Sequence, residues 1–205
     1  MEVNLIIVVL SLCIVSCAQQ LEKHSSKPKF IQAIDIPAIT IDKADLQYNP
    51  KISLWTLDDQ CFSGFAISRY PDGSLKQKFG VFEGRKQNQA LDWFPDGHLH
   101  YLANYHKGKL QGEKKAWSMD STHILISHLN YTSGKVHGVQ KKWYATGEIF
   151  KILNLNMGKE EGVQRAFRKN GDLFANYEAR EGRIFGLKRA SLCFGLEDEI
   201  VQYKE

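Results

Sequence analysis

The chain has 205 residues, of which 43% are hydrophobic, 24% charged and 11% aromatic. This is the balance of one globular domain; with five prolines and no repeated polar tract, it excludes a mostly disordered or collagen-like chain. A net charge of +4 is too small to point to nucleic acid. The apolar run Leu5 to Val15 is shorter than the ~20 residues of a permanent membrane helix.

That run has the length of a secretory leader's apolar region, roughly 7–15 residues. It ends in Ile14-Val15-Ser16-Cys17, which fits the bacterial lipobox, so residues 1–16 read as a lipoprotein signal and Cys17 as the lipidated residue. Two or more acyl chains on Cys17 give lasting membrane anchorage. The first four residues carry no Lys or Arg, and Ser16-Cys17-Ala18 also satisfies a small-x-small cleavage site. Soluble secretion after cleavage at Ala18 and an uncleaved anchor are therefore the alternatives, and all three export the chain. The expected location is the bacterial cell envelope, on a membrane-anchored lipoprotein facing the periplasm or the exterior.

Residues 17–50 begin as a polar tether and continue into Ile34-Asp35-Ile36-Pro37-Ala38-Ile39-Thr40-Ile41, a stretch suited to an edge strand that caps the next segment. From 51 to 192 a 24-residue period takes over. Gly84, Gly108, Gly134, Gly158 and Gly182 are spaced by 24, 26, 24 and 24 residues. Four positions after each stand Asn88, Gly112, Gly138, Gly162 and Gly186, and nine after stand Trp93, Trp117, Trp143, Phe167 and Ser191. A turn then follows, carrying Gly73, Gly97, Gly147 or Gly171, while the third junction, Ser118 to Thr122, loses its glycine and gains two residues.

Each unit reads as two antiparallel strands, because the glycines supply φ > 0 positions between segments that alternate with period two. Leu99, Tyr101, Ala103 and Tyr105 form one apolar set, with Ile149, Leu153 and Leu155 and then Leu173, Ala175, Tyr177 and Ala179 in later units. The rings of Trp93, Trp117, Trp143 and Phe167 are expected to face the same way. The predicted fold is all-β: a single-layer antiparallel stack of β-hairpins with about five to six repeats, followed by a tail at 193–205.

The pattern Tyr-x-x-Gly, a Gly-Lys turn, a glycine four residues later and an aromatic five after that resembles the MORN-repeat variant of YwqK-like antitoxin and lipoprotein chains. The copies Phe94 to Trp117 and Tyr144 to Phe167 carry it most clearly, within a resemblance covering roughly 55–192. It implies a solenoid of β-hairpins with an interaction role and no catalytic residues to transfer. Two functions follow as expectations: a non-enzymatic binding or scaffold module for an unknown protein or anionic envelope polymer, and, as the alternative, neutralisation of a partner toxin.

No nucleophile elbow, P-loop, dinucleotide fingerprint or zincin motif is present, so neither an enzyme nor a cofactor is expected. Asp58-Asp59 and Glu160-Glu161 are sequence neighbours, which on a strand point to opposite faces. His98, His100, His106, His123 and His128 cluster, yet no Cys-x-x-Cys or His-x-x-x-His accompanies them, and they read as surface residues rather than metal ligands. Cys61 and Cys193 stand about five repeats apart, too far for a disulfide in an open stack. From 74 to 192 there are 20 Lys/Arg against 11 Asp/Glu. Lys114, Lys142 and Arg168 are the candidate binding face, placed opposite the ring positions and suited to an anionic partner. The lipid anchor makes one prediction: Cys17→Ala transfers the protein from the membrane fraction to a soluble exported fraction, and fractionation of cells checks it.

Overall fold

The protein, as a computed structural model, is described over residues 34–187. The leader 1–16, Cys17, the start of the tether, Cys193 and the acidic tail lie outside these residues. The described part opens with β1 (Thr40–Asp42), one 3₁₀ turn at Lys43–Asp45, β2 (Gln47–Asn49), β3 (Leu54–Leu57) and β4 (Gln60–Cys61). The repeats follow as β5 (Gly64–Arg69), β6 (Leu75–Phe82), β7 (Arg85–Trp93), β8 (Leu99–His106), β9 (Lys109–Trp117), β10 (Leu125–Thr132), β11 (Lys135–Val136) and β12 (Gly138–Trp143). The last strands are β13 (Ile149–Asn156), β14 (Lys159–Glu160), β15 (Gly162–Phe167), β16 (Leu173–Arg180) and β17 (Arg183–Leu187).

From β5 to β17 each strand pairs antiparallel with the next along one sheet, so the expected stack of hairpins is what forms. Its two edges are built differently. One carries two-residue turns ending in Gly84, Gly108, Gly134, Gly158 and Gly182, both residues having φ > 0, the geometry that matches strand twist. All thirteen of the repeat-turn glycines named from the sequence, from Gly73 to Gly186, have positive φ. At Gly84 space adds to conformation, because a Cβ there would lie 3.1 Å from both Leu54 Cδ2 and Trp55 O. Asn88 replaces glycine at its bulge with φ +59, which asparagine tolerates, and its Nδ2 donates to Ile34 O at 2.8 Å.

These short turns leave two backbone N–H groups pointing back toward the previous repeat. The glycine N–H finds a carbonyl there: Gly84 donates to Phe62 O, Gly108 to Lys86 O, Gly134 to Leu110 O and Gly158 to Val136 O, each at 2.8 Å. The other N–H finds a side chain. Glu83 donates to Ser63 Oγ at 2.8 Å, Lys107 to Gln87 Oε1 at 2.8 Å, Ser133 to Gln111 Oε1 at 2.9 Å and Met157 to His137 Nδ1 at 3.4 Å. Buried glutamines also serve the bulges: Gln140 Oε1 accepts from Asn130 N at 2.8 Å, and Gln164 Oε1 accepts from Asn154 N at 2.9 Å.

The opposite edge carries five-residue turns. Phe94 N donates to His98 O at 2.8 Å and Gly97 N to Phe94 O at 3.0 Å, and the turns at Tyr70, Tyr144 and Arg168 repeat this pair of bonds. The Tyr70 hydroxyl donates to Trp93 O at 2.8 Å and the Tyr144 hydroxyl to Phe167 O at 2.9 Å, tying each turn to the next repeat. The irregular third junction closes through Ser118 N to Ile124 O at 2.8 Å.

Register fixes the faces. Ile41, Ala66, Phe79, Ala90, Ala103, Lys114 and Leu129 lie side by side in one row. Two residues along the strands runs a second row on the same face: Ser68, Gln77, Asp92, Tyr101, Ala116, Ser127, Lys142, Lys151, Ala166 and Ala175. This alanine face carries the core. β1 pairs parallel with β5, and Leu46 joins Phe62, Ala66, Phe79, Val81 and Ala90 in one buried cluster, with Trp55 packed against it; Ala166, Phe174 and Ala175 form another.

The rings expected inside stand elsewhere. Trp93, Trp117, Trp143 and Phe167 are half-buried, at the strand ends where register shifts in every unit. The next residue is the buried one: Phe94, Ser118 and Tyr144. The same shift leaves Leu173, expected inside, 48% exposed, and buries Phe174 instead.

Two outcomes follow. Gln87→Leu strands the Lys107 N–H and lowers stability by about 1–3 kcal/mol in urea unfolding, whereas the exposed Gln89→Leu changes it by less than ~0.5 kcal/mol. The Asp72 carboxyl is held below the usual range, first by the Ser74 hydroxyl and then by its backbone N–H; that of Asp120 is held there first by the Thr122 hydroxyl and then by its N–H. A depressed acid stabilises the fold above the ordinary carboxylate range and loses that contribution as pH falls through its folded value. The unfolding midpoint therefore drops on acidification below about pH 5, and a variant carrying Asp72→Asn and Asp120→Asn shows a shallower drop.

Candidate functional site

The part of the alanine face beyond the N-terminal segment is built from the two rows and carries tyrosines and lysines. Lys114 lies directly opposite Ala103 and Leu129, and its Nζ stands 5.3 Å over the Tyr101 ring. Lys142 lies opposite Ser127 and Lys151. Three lysines thus share one face across β9 to β13, over inter-strand steps of ~4.8 Å. Lys151 Nζ also stands 4.5 Å from the Phe150 ring. Arg168 is not brought to this group: it occupies the five-residue turn, with its guanidinium 5.8 Å over Phe174. Among the described residues neither Lys114 nor Lys142 forms an ion pair, whereas Lys115, on the other face, holds Glu113 at 2.7 Å.

Burial, followed by its neighbour Tyr105, pushes the Tyr101 phenol far above its ordinary range. Tyr105 and Tyr131 are raised as well, by burial first. These rings stay neutral and add apolar surface to the face. Toward β5 the same face opens into a cleft beside the 3₁₀ turn, lined by Lys43, Tyr70, Gln77, Asp92, Trp93 and His100. Lys43 Nζ donates to Gln77 Oε1 at 2.8 Å, and Gln77 Nε2 donates to Asp92 Oδ1 at 2.8 Å. In a separate cavity lined by Tyr48, Trp55 and Tyr105, Lys86 Nζ sits among Phe79 at 4.5 Å, Tyr105 at 5.2 Å and Trp55 at 5.9 Å. Its ammonium is held below the ordinary lysine range, by burial first and then by Lys43, although the three ring faces favour the cation.

A scan against protein-family models finds no match. No curated protein matches the chain either.

The remaining sequence candidates disperse. Asp58 and Asp59 form the turn between β3 and β4, with φ of 48° and 62°. Glu160 accepts from the Tyr177 hydroxyl at 2.7 Å. Cys61 is a free, exposed thiol. His106 stands 3.4 Å from Gln87 Nε2, His128 pairs with Glu113 at 3.1 Å, and His100 packs on Phe94 with ring centroids 4.3 Å apart. His98 and His123 converge on Asp96. Sequence reasoning missed Lys151 and the cleft residue Asp92. The direct pairing of Lys151 with Lys142 follows from the hairpin register, which the turn positions alone leave open by one residue. The contact of Asp92 with Gln77 and, through it, Lys43 depends on the N-terminal segment folding back, which no period announces.

Proposed function

We propose that the chain is an exported, membrane-anchored repeat lipoprotein of the MORN-variant type, acting as a non-enzymatic binding module for an anionic envelope polymer. The observation that carries this reading is the grouping of Lys114, Lys142 and Lys151 on one face of a continuous sheet, with Lys114 over the Tyr101 ring. A row running across ten strands suits an extended partner laid perpendicular to them, with charge recognised by the lysines and apolar stretches by the tyrosines. The lipobox supplies the expected anchor, and the repeat-turn glycines supply the resemblance to MORN-variant chains. Neutralisation of a toxin, the other role the resemblance implies, would use an acidic protein on the same face.

Exposed charges act over ~10 Å at 0.1 M salt and ~3 Å at 1 M, so capture on an anionic cell-wall polymer should fall steeply over that range. Charge reversal by Lys114→Glu with Lys142→Glu should weaken capture at least about tenfold with the thermal midpoint nearly unchanged, since neither lysine belongs to a buried cluster. Equal, salt-insensitive retention of wild type and variant overturns the lysine face as the binding site.

A further inference from the structure

The five-residue turn Phe94–His98 and the irregular junction Ser118–Ile124 belong to neighbouring repeats on the same sheet edge. Asp96 and His98 come from the first and His123 from the second. Nε2 of His123 lies 2.9 Å from Asp96 Oδ2, and Nδ1 of His98 lies 3.3 Å from Asp96 Oδ1. The two imidazoles are stacked, with centroids 3.6 Å apart and planes 17° apart, and the three donor atoms fall within 4.8 Å of one another. The geometry points to a binding site for a first-row divalent transition ion of the zinc class, with His98 Nδ1, His123 Nε2 and an Asp96 oxygen as ligands.

Size and chemistry agree with that ion. Donors at ~2.0–2.1 Å from a tetrahedral centre stand roughly 3.3 Å apart, close to the 3.3 Å from His98 to Asp96 Oδ1 and the 2.9 Å from His123 to Asp96 Oδ2. Two imidazoles with one carboxylate suit zinc, nickel, cobalt or copper, whereas calcium and magnesium call for oxygen donors throughout. The ligands are positioned in advance. Asp96 Oδ1 accepts the His98 backbone N–H at 3.0 Å, which orients the carboxylate; that bond first, and His123 after it, hold the carboxyl below its ordinary range. His123 is set by its own N–H donating to Asp120 O at 3.1 Å, and Asp120 is itself anchored by Thr122 N at 3.0 Å and Ser118 Oγ at 3.1 Å. Buried Phe94 backs the group, its ring centroid 6.3 Å from that of His123. The His98 and Asp96 side chains are 59% and 50% exposed, which gives the ion a way in and leaves a coordination position facing water.

The repeat itself marks the place. The other turns on this edge close in five residues, and the junction with two additional residues is the one that extends His123 toward its neighbour. A bound ion would cross-link two consecutive repeats at the edge where no short glycine turn joins them.

The test is zinc titration of the full-length chain, purified without a histidine tag in mild detergent, against a chromophoric chelator, with cobalt substitution as a spectroscopic readout. The expected result is one saturable equivalent, a tetrahedral or five-coordinate cobalt spectrum, and a zinc-dependent rise in the thermal midpoint. H98A and H123A should each weaken binding by at least about tenfold and abolish the rise, while H128A leaves both unchanged. Circular dichroism without metal verifies the fold of each variant, and D96N, which retains an oxygen acceptor for the His98 N–H, tests the carboxylate should an alanine variant misfold. Absence of a saturable equivalent, or equal binding by wild type, H98A and H123A, overturns the site and leaves an ordinary histidine–aspartate pair.

Discussion

The structure depends on finding acceptors for the backbone N–H groups of its short turns. A two-residue turn with φ > 0 at both positions reverses the chain tightly, but its two amides point out of the hairpin that makes them. In the four turns from Gly84 to Gly158 they point into the preceding repeat, where one meets a carbonyl at 2.8 Å and the other meets Ser63, Gln87, Gln111 or His137. Where the acceptor is buried, as Gln87 is, leaving the donor unmade costs about 1–3 kcal/mol; the bonds to Ser63, Gln111 and His137 are exposed and cost less to lose, so they align each hairpin with its predecessor by geometry. A single-layer sheet has little core with which to enforce order, and these turn bonds enforce it locally.

Because that constraint acts along one edge, the other edge is free to vary. The two additional residues between Gly108 and Gly134 are absorbed in the Ser118–Ile124 junction, and the Gly134 amide still reaches Leu110 O at 2.8 Å. Variation therefore collects opposite the glycine turns, which is where Asp96, His98 and His123 meet. The lysines occupy a third environment, the sheet face, where alternation along each strand and register between strands place Lys114 beside Tyr101 and Lys142 beside Lys151.

Much of the fold was legible because turn chemistry is local. Glycine at fixed spacing announces positive φ, and period-two alternation announces which of Tyr101, Ala103 and Tyr105 share a face. The ring positions were not legible to the same depth: register slips by one residue at Trp93, Trp143 and Phe167, so strict alternation assigns the burial of Phe94 and Tyr144 to their predecessors. The period puts Lys114 and Lys142 on a shared face but assigns them to the one opposite Tyr101 and Ala103; because the ring positions lie past the register slip, the lysines instead share the face of Tyr101 and Ala103. Arg168 does not join them, because it lies one residue past the slip, in the turn. The approach of His123 to Asp96 spans 27 residues between two loops, and no pattern along the chain encodes it.

The nearest-neighbour character of the stack has a mechanical meaning. A strand here pairs with those beside it, and the turn bonds reach back one repeat, so tension applied between the two ends would peel the sheet from an end, one hairpin at a time. Each release would free 24 residues, about 80 Å of extended chain. Were the chain anchored at one end and bound along its sheet, as proposed, it would yield under load in discrete lengths and re-form as the load eased.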